Sequence, residues 1–276
     1  MRDLKMNFFK YTAIKIQQKF VGFEPIEPKV VNNHSLHPIF LLGAPRSGTT
    51  FLYQLLAKYY IVAYCSNLMA LVPSKMSLIC QLTQNGILNY NQIKKSDYGY
   101  IHGINSPNEA GAIMKLWFSK RLSLQQTAAV RSTVNRITTT IRAPFLIKNL
   151  NNSLRLNNIL RIFPEARFIH LKRNPEDNAR SLIQARRAIN KDPGKWWSVA
   201  PEGFENLLKR SPEDQVNWQI HQINDILNTK LDHRLNKCIT VGYEQLCAHP
   251  KDTLMAIAHR FRLRPAGIEL TPEDIK

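Results

Sequence analysis

The chain has 276 residues, 44% of them hydrophobic, enough for one large domain with a substantial core or for two small ones. Thirty-eight Lys and Arg against 20 Asp and Glu leave a formal net charge of +18, a balance that points to an anionic partner such as nucleic acid, a membrane surface, or an acidic substrate or cofactor. No stretch approaches a membrane span, no internal repeat is visible, and Cys65, Cys80, Cys238 and Cys247 form no CxxC pair or zinc-ligand spacing. The cysteines therefore read as reduced and mostly buried, which places the protein in the cytoplasm.

The leading segment "MRDLKMNFFKYTAIKIQQKFVGF" is basic and weakly amphipathic and lacks the apolar core of a signal peptide. It reads as a helix packed on the domain. The alternative is a helix on an anionic membrane, with Arg2, Lys5, Lys10, Lys15 and Lys19 facing the lipid and Phe8, Phe9, Ile16 and Phe20 as its apolar side. "EPIEPKVVNNHS" then breaks any helix with two prolines. Residues 1–36 are thus an extension and linker, and 37–276 the domain.

An apolar run, Ile39 to Leu42, ends at Gly43. After "GAPRSGTT" comes a helical pattern, "TTFLYQLLAKYY". "YIVAYCSNLMALVP" reads as a second strand running into a loop. Residues 75–120, with Gly86, Gly99, Gly103 and Pro107, read as irregular chain covering a site. "LSLQQTAAVRSTVNRITTTIR" is helical on period and length. "APFLIKN" is a short buried strand, "SLRLNNILRIFP" a helix with Ser153 as N-cap, and "ARFIHLKRN" a further strand. "PEDNARSLIQARRAI" and "SPEDQVNWQIHQINDILNTKL" are helices opened by proline with acids behind it, the second being the longest. "KCITVGYEQL" gives the last strand and turn, and "HPKDTLMAIAHRFRL" a closing helix. The alternation predicts an α/β fold, a three-layer parallel sheet flanked by helices with right-handed crossovers.

On such a sheet ligands sit beyond the carboxyl ends of the strands. Those ends are Gly43 to Thr50, Lys148-Asn149, Lys172-Arg173-Asn174 and Gly242-Tyr243. Strand, glycine-bracketed loop and helix is the layout of a phosphate-binding loop. Yet Thr49 stands where a nucleotide-triphosphate loop carries its lysine, and Arg46 sits inside the loop. Neither of the two following strand ends offers a carboxylate for Mg²⁺. A cationic, acid-poor site suits a phosphate together with a transferring group less charged than a phosphoryl.

"PIFLLGAPRSGTTFL" resembles the 5′-phosphosulfate loop of sulfotransferases that use 3′-phosphoadenosine 5′-phosphosulfate (PAPS). "FPEARFIHLKRNPEDNARS" resembles their 3′-phosphate motif. The wording "PRSGTT", "LIKN" and "VGYEQLCAHP" is similar to the tyrosylprotein sulfotransferase branch and its bacterial relatives. The resemblance runs from about residue 37 to 263 and implies the P-loop-like sulfotransferase fold, PAPS as donor, no metal, and a hydroxyl or amine of a small-molecule acceptor. The aromatics of "KWWSVAPEGF" suit a carbohydrate or lipid-like acceptor, or equally a hydrophobic cover over the nucleotide.

The resemblance also implies roles. Pro45, Arg46, Ser47, Gly48, Thr49 and Thr50 form the phosphosulfate loop, with Arg46 bridging phosphate and sulfuryl. Arg173 and Ser181 hold the 3′-phosphate, Lys148 faces the bridging oxygen, and Tyr243 either contacts the nucleotide or packs in the core. Trp196, Trp197 and Trp218 are available to stack on adenine or to pack as cover. The tyrosylprotein pattern places a carboxylate in the stretch aligned with "YCSNLMA", where this chain has Ser66 and Asn67, so tyrosine as acceptor is in doubt. Glu109 and His102 in "IHGINSPNEAG" are the nearest replacements for the base, with helix capping as the other reading of Glu109. The family's closing glycine-and-basic segment has no counterpart in "RPAGIELTPEDIK". Two rivals remain: a P-loop kinase of a small molecule, and a non-catalytic nucleic-acid or membrane binder. For the second, ten cations against three acids between Arg142 and Arg187 suit phosphate, but no nucleic-acid-binding signature is present.

Overall fold

The computed structural model describes residues 22–26, 36–84 and 90–274. The expected N-terminal helix with its lysine face lies outside them. In chain order the elements are β1 (Ile39–Leu42), α1 (Thr49–Tyr59), β2 (Ala63–Tyr64), α2 (Asn67–Leu71), α3 (Met76–Gln84), β3 (Ser96–Asp97), β4 (Tyr100–Ile101), α4 (Gly111–Trp117) and α5 (Leu124–Ile141). There follow β5 (Phe145–Lys148), α6 (Leu156–Ile162), β6 (Arg167–Lys172), α7 (Pro175–Asn190), α8 (Pro212–Leu231), β7 (Cys238–Gly242), α9 (Tyr243–Ala248) and α10 (Pro250–Phe261).

The main sheet runs β2-β5-β1-β6-β7, every pair parallel. All four residues of β1 are fully buried. Successive side chains leave a strand on opposite faces, and accordingly Phe40 and Leu42 join one apolar cluster while Ile39 and Leu41 join the other. Phe40 stacks on Phe168 at 5.8 Å and meets Phe118 edge-on at 5.6 Å. Burial of such a ring contributes about 2–3 kcal/mol. The register sets Leu41 beside Lys148 and Ile169, and Lys172 beside Gly242, so the strands stop at a common edge.

The helices that flank that edge start as their sequences dictate. Asn174 caps α7 by accepting from the amides of Glu176 and Asp177, and Ser211 caps α8 by accepting from Asp214 N. Two local readings need correction. Ser153 does not cap α6: it lies within a 3₁₀ turn (Leu150–Leu154), and its hydroxyl faces the Gly43 carbonyl at 3.5 Å. Residues 75–120 are not irregular either, since α3, the β3–β4 hairpin and α4 order much of the stretch. The hairpin turn puts Tyr98 (φ 52°) and Gly99 (φ 99°) in the left-handed region. This is the two-residue geometry that favours Asn-Gly, here written Tyr-Gly.

At the opposite end of α1, Asp274 packs against Lys58 at 2.5 Å and against the Tyr59 hydroxyl. All four cysteines are unpaired, three of them buried. Among the described residues no helix is long and apolar enough to cross a membrane.

Candidate active site

The loop between β1 and α1 is shaped by close approaches. A Cβ on Gly43 would lie 2.6 Å from the Leu171 carbonyl, and one on Gly48 (φ 94°) 2.3 Å from Tyr243 Cδ2. Glycine at both places lets the loop pass against β6 and under the Tyr243 ring. Arg46 itself takes a left-handed φ of 67°. Its carbonyl accepts from Arg173 Nη1 at 3.1 Å. The Asn178 amide, turned to donate, reaches the Pro45 and Arg46 carbonyls at 2.9 and 3.1 Å. The loop is thereby tied to β6 and α7. Thr49 and Thr50 open α1, where backbone N–H groups have no carbonyl ahead of them and the helix end carries partial positive charge.

Three cations meet here. Arg46 Nε donates to Ser181 Oγ at 3.2 Å. The Arg173 guanidinium lies 4.7 Å from the Tyr243 ring, with its Nε buried and unpartnered. Lys148, at the end of β5 and almost fully buried, donates to Thr50 Oγ1 at 3.0 Å and pairs with the Glu109 carboxylate. Burial pulls the Arg46 pKa below its ordinary value; Tyr98 opposes this and the charge of Arg173 adds to it. Burial raises the Tyr243 hydroxyl. A guanidinium crowded by a like charge gains from any anion that settles between the two.

These groups line one cleft of about 190 Å³, bounded by Arg46, Gly48, Thr49, Thr50, Glu109, Lys148, Arg173 and Tyr243 together with Tyr98 and Trp197. Ser181 joins through its bond to Arg46. Ser47 turns inward, its hydroxyl buried without a partner, and Pro45 contributes its carbonyl to Asn178. His102 is not brought in. Ile101 before it points into the core, so His102 faces outward on the extended chain, where Nε2 pairs with Asp97 at 2.8 Å.

Glu109 reaches Lys148 because its segment is held on both sides. Asn149 Nδ2 donates to the Glu109 carbonyl at 3.0 Å, and Asn108 Oδ1 accepts from Ala110 N at 2.6 Å. Asn67 Oδ1 accepts from Asn108 Nδ2 at 2.6 Å, and Asn67 Nδ2 donates to the carbonyls of Ile101 and Gly103 at 2.7 and 2.6 Å. Within "YCSNLMA", then, Ser66 caps α2 by accepting from Met69 N, and the Asn67 amide is spent on this network. The backbone of Gly99 closes over Glu109, for a Cβ there would lie 2.6 Å from Oε1.

Of the tryptophans, Trp197 lines the cleft, edge-on to Tyr98 at 6.1 Å, whereas Trp196 packs between Phe204 and Trp218. Sequence reasoning missed Asn178 and Tyr98 as parts of the site, and named Asn149 only as a strand end and Gly99 only as part of the cover. Asn178 carried one available signal, since it stands one helical turn after the strand-end Arg173-Asn174 pair and so faces the loop.

The donor set fits an anionic ligand: Arg46, Arg173 and the Ser181 hydroxyl stand together beside the helix-end amides, Arg46 being bonded to Ser181 and, through its carbonyl, to Arg173. The arrangement can also hold a proton acceptor, since Glu109, the only carboxylate lining the cleft among the described residues, sits beside a buried ammonium.

The chain is similar in fold to sulfotransferase STF9 from Mycobacterium avium, with 16% identity, a TM-score of 0.56, and coverage of 90% of this chain and 68% of that one. Sulfotransferase STF1 from Mycobacterium tuberculosis aligns at 16% identity and a TM-score of 0.47 over 98% and 78%. The sulfotransferase domain of the Synechococcus olefin synthase aligns at 16% and 0.43 over 90% and 79%. No curated protein sequence matches. The model of the Sulfotransferase family matches residues 38–265, the stretch that carries the sheet, the loop and every residue lining the cleft, and the chain belongs to that family.

Proposed function

We propose that this protein moves a sulfuryl group from PAPS to a hydroxyl or amine of an acceptor. The observation that carries the reading is the convergence of Arg46, Ser181 and Arg173 at the mouth of a glycine-bracketed loop and helix N-terminus, in one cleft with Lys148. Arg173 and Ser181, which stand beside the loop rather than in it, add a second group of anion donors next to Arg46 and the helix end, and this supports a bisphosphorylated adenosine over a single chain of phosphates.

Bound there, the donor supplies an activated sulfuryl group. Thr49 and Thr50, with the amides of the helix end, hold the phosphosulfate, and Arg46 and Lys148 offset the negative charge that develops during transfer. Arg173 and Ser181 hold the 3′-phosphate. Tyr243 fixes the loop by covering Gly48 and flanking Arg173. Glu109 takes the proton of the acceptor O–H or N–H at a carboxylate oxygen, and Lys148, paired with it, holds that carboxylate in the cleft. His102, outside the cleft, takes no part.

The test is transfer of radiolabelled sulfate from PAPS to a panel of phenols, primary alcohols, amines and sugars. Arg46→Ala should abolish product while melting like the parent protein. Undiminished turnover in that variant would remove Arg46 from the mechanism.

A further inference from the structure

Arg186 is the one arginine of α7 that is completely buried, and nothing in the proposed transfer uses it. Among the described residues its guanidinium donates only to neutral oxygens: Nη1 to Gln215 Oε1 at 2.8 Å and to the Pro193 carbonyl at 3.4 Å, Nη2 to Gln219 Oε1 at 2.9 Å. The Trp196 ring lies beneath it at 4.9 Å. Burial without a carboxylate lowers its pKa to about 10, which leaves it charged at neutral pH. A buried, unpaired charge is costly unless it organises something.

What it organises is the direction of two amides. Gln215 and Gln219, both fully buried on successive turns of α8, turn their oxygens to Arg186 and so turn their NH₂ groups away from it. Gln215 Nε2 donates to the Arg210 carbonyl at 3.1 Å. Gln219 Nε2 donates to the Trp197 carbonyl at 3.1 Å and to that of Val199. Trp197 is the residue of this connection that reaches the cleft, where its ring meets Tyr98, and the Tyr98 ring in turn lies 5.7 Å from the Arg46 guanidinium.

We propose that Arg186 and Gln219 are positioning residues for the aromatic wall of the cleft, holding Trp197 against Tyr98 on the side where an acceptor approaches Glu109. This rests on the transferase reading for its purpose, though not for its geometry. It also predicts an asymmetry between two chemically identical changes. Gln219→Glu gives Arg186 a carboxylate partner but removes the N–H groups that grip Trp197 and Val199. Gln215→Glu gives Arg186 the same partner and releases only the distant Leu208–Arg210 turn.

The experiment is fluorine NMR of protein carrying 5-fluorotryptophan, with the Trp197 signal among the four tryptophans identified by its loss in Trp197→Phe. Gln219→Glu should shift or broaden that signal, and Gln215→Glu should leave it in place, with both variants melting cooperatively. If Gln219→Glu fails to fold, Gln219→Met removes the same donors without adding charge and takes its place. An unmoved Trp197 signal in the Gln219 variant, or equal movement in both, overturns the proposal. Titration with adenosine 3′,5′-bisphosphate runs alongside. A parent protein that fails to bind it would refute the donor reading, while the fluorine spectra still decide the positioning role.

Discussion

Gly48→Ala probes the contact on which the loop geometry depends. Gly48 stands at φ 94°, and an added Cβ would lie 2.3 Å from Tyr243 Cδ2 and 2.5 Å from Cε2. An L-residue in the left-handed region costs about 1–2 kcal/mol. Gly203, at φ 88° with nothing within 4 Å of its added Cβ, isolates that cost. In Gly48→Ala the Tyr243 ring has to move as well, giving up a cation–π contact worth about 0.5–1 kcal/mol and part of its packing. The expected losses are about 1.5 kcal/mol for Gly203→Ala and about 3 kcal/mol for Gly48→Ala, or roughly 4 and 8 °C in melting temperature. Calorimetric melting of both variants reads the difference. Tyr243→Ala removes the obstructing ring, so the Gly48→Ala/Tyr243→Ala double variant should lose less than the sum of its singles. Equal melting of the two alanine variants, or additivity in the double, would refute the reasoning.

Three further outcomes follow from the site and its surroundings. Arg173→Ala should weaken adenosine 3′,5′-bisphosphate about tenfold or more, and adenosine 5′-phosphate far less, since a charge-assisted bond contributes about 1.5–3 kcal/mol; equal weakening of the two ligands in calorimetric titration would reject the 3′-phosphate role. Glu109→Gln should slow transfer by about 10²–10⁴-fold while leaving bisphosphate affinity unchanged, and a variant that keeps its turnover would move the base elsewhere. Burial opposes ionisation of Asp274, but hydrogen bonds from Lys58, Tyr59 and Thr271 outweigh it and hold the carboxyl at about 2. A folded-state pKa depressed below 3.8 gives stability that is present above that value and lost as pH falls toward 2. Asp274→Asn should therefore lower the melting temperature near neutrality, with a gap that narrows in acid, and a gap independent of pH would contradict the assignment.

The sheet and its loop were legible because their signals are local and strong. β1 is four apolar residues ending at a glycine, and α7 and α8 announce themselves with a cap, a proline and acids. The cations that line the cleft, Arg46, Lys148 and Arg173, were legible for the same reason, standing in the loop or at strand ends. The cover was not. The β3–β4 hairpin turns on Tyr98-Gly99, which lacks the usual Asn-Gly wording, and its strands have two residues each. Glu109 and His102 looked equivalent along the chain. What separates them is the Asn67–Asn108–Asn149 network, which joins residues some 40 positions apart and leaves no periodic trace. The Arg186–Gln219 pair is hidden likewise, because an arginine on a helix reads as a surface residue until the fold buries it.

The central claim, a cleft built for a 3′-phosphorylated adenosine donor, is tested most directly by calorimetric titration of the purified protein in EDTA with adenosine 3′,5′-bisphosphate, set against ATP with and without Mg²⁺. Saturable one-to-one binding of the bisphosphate in EDTA, tighter than that of ATP under either condition, is the predicted result. No heat with the bisphosphate, together with Mg²⁺-dependent binding of ATP, would contradict the account and return the loop to nucleotide-triphosphate chemistry.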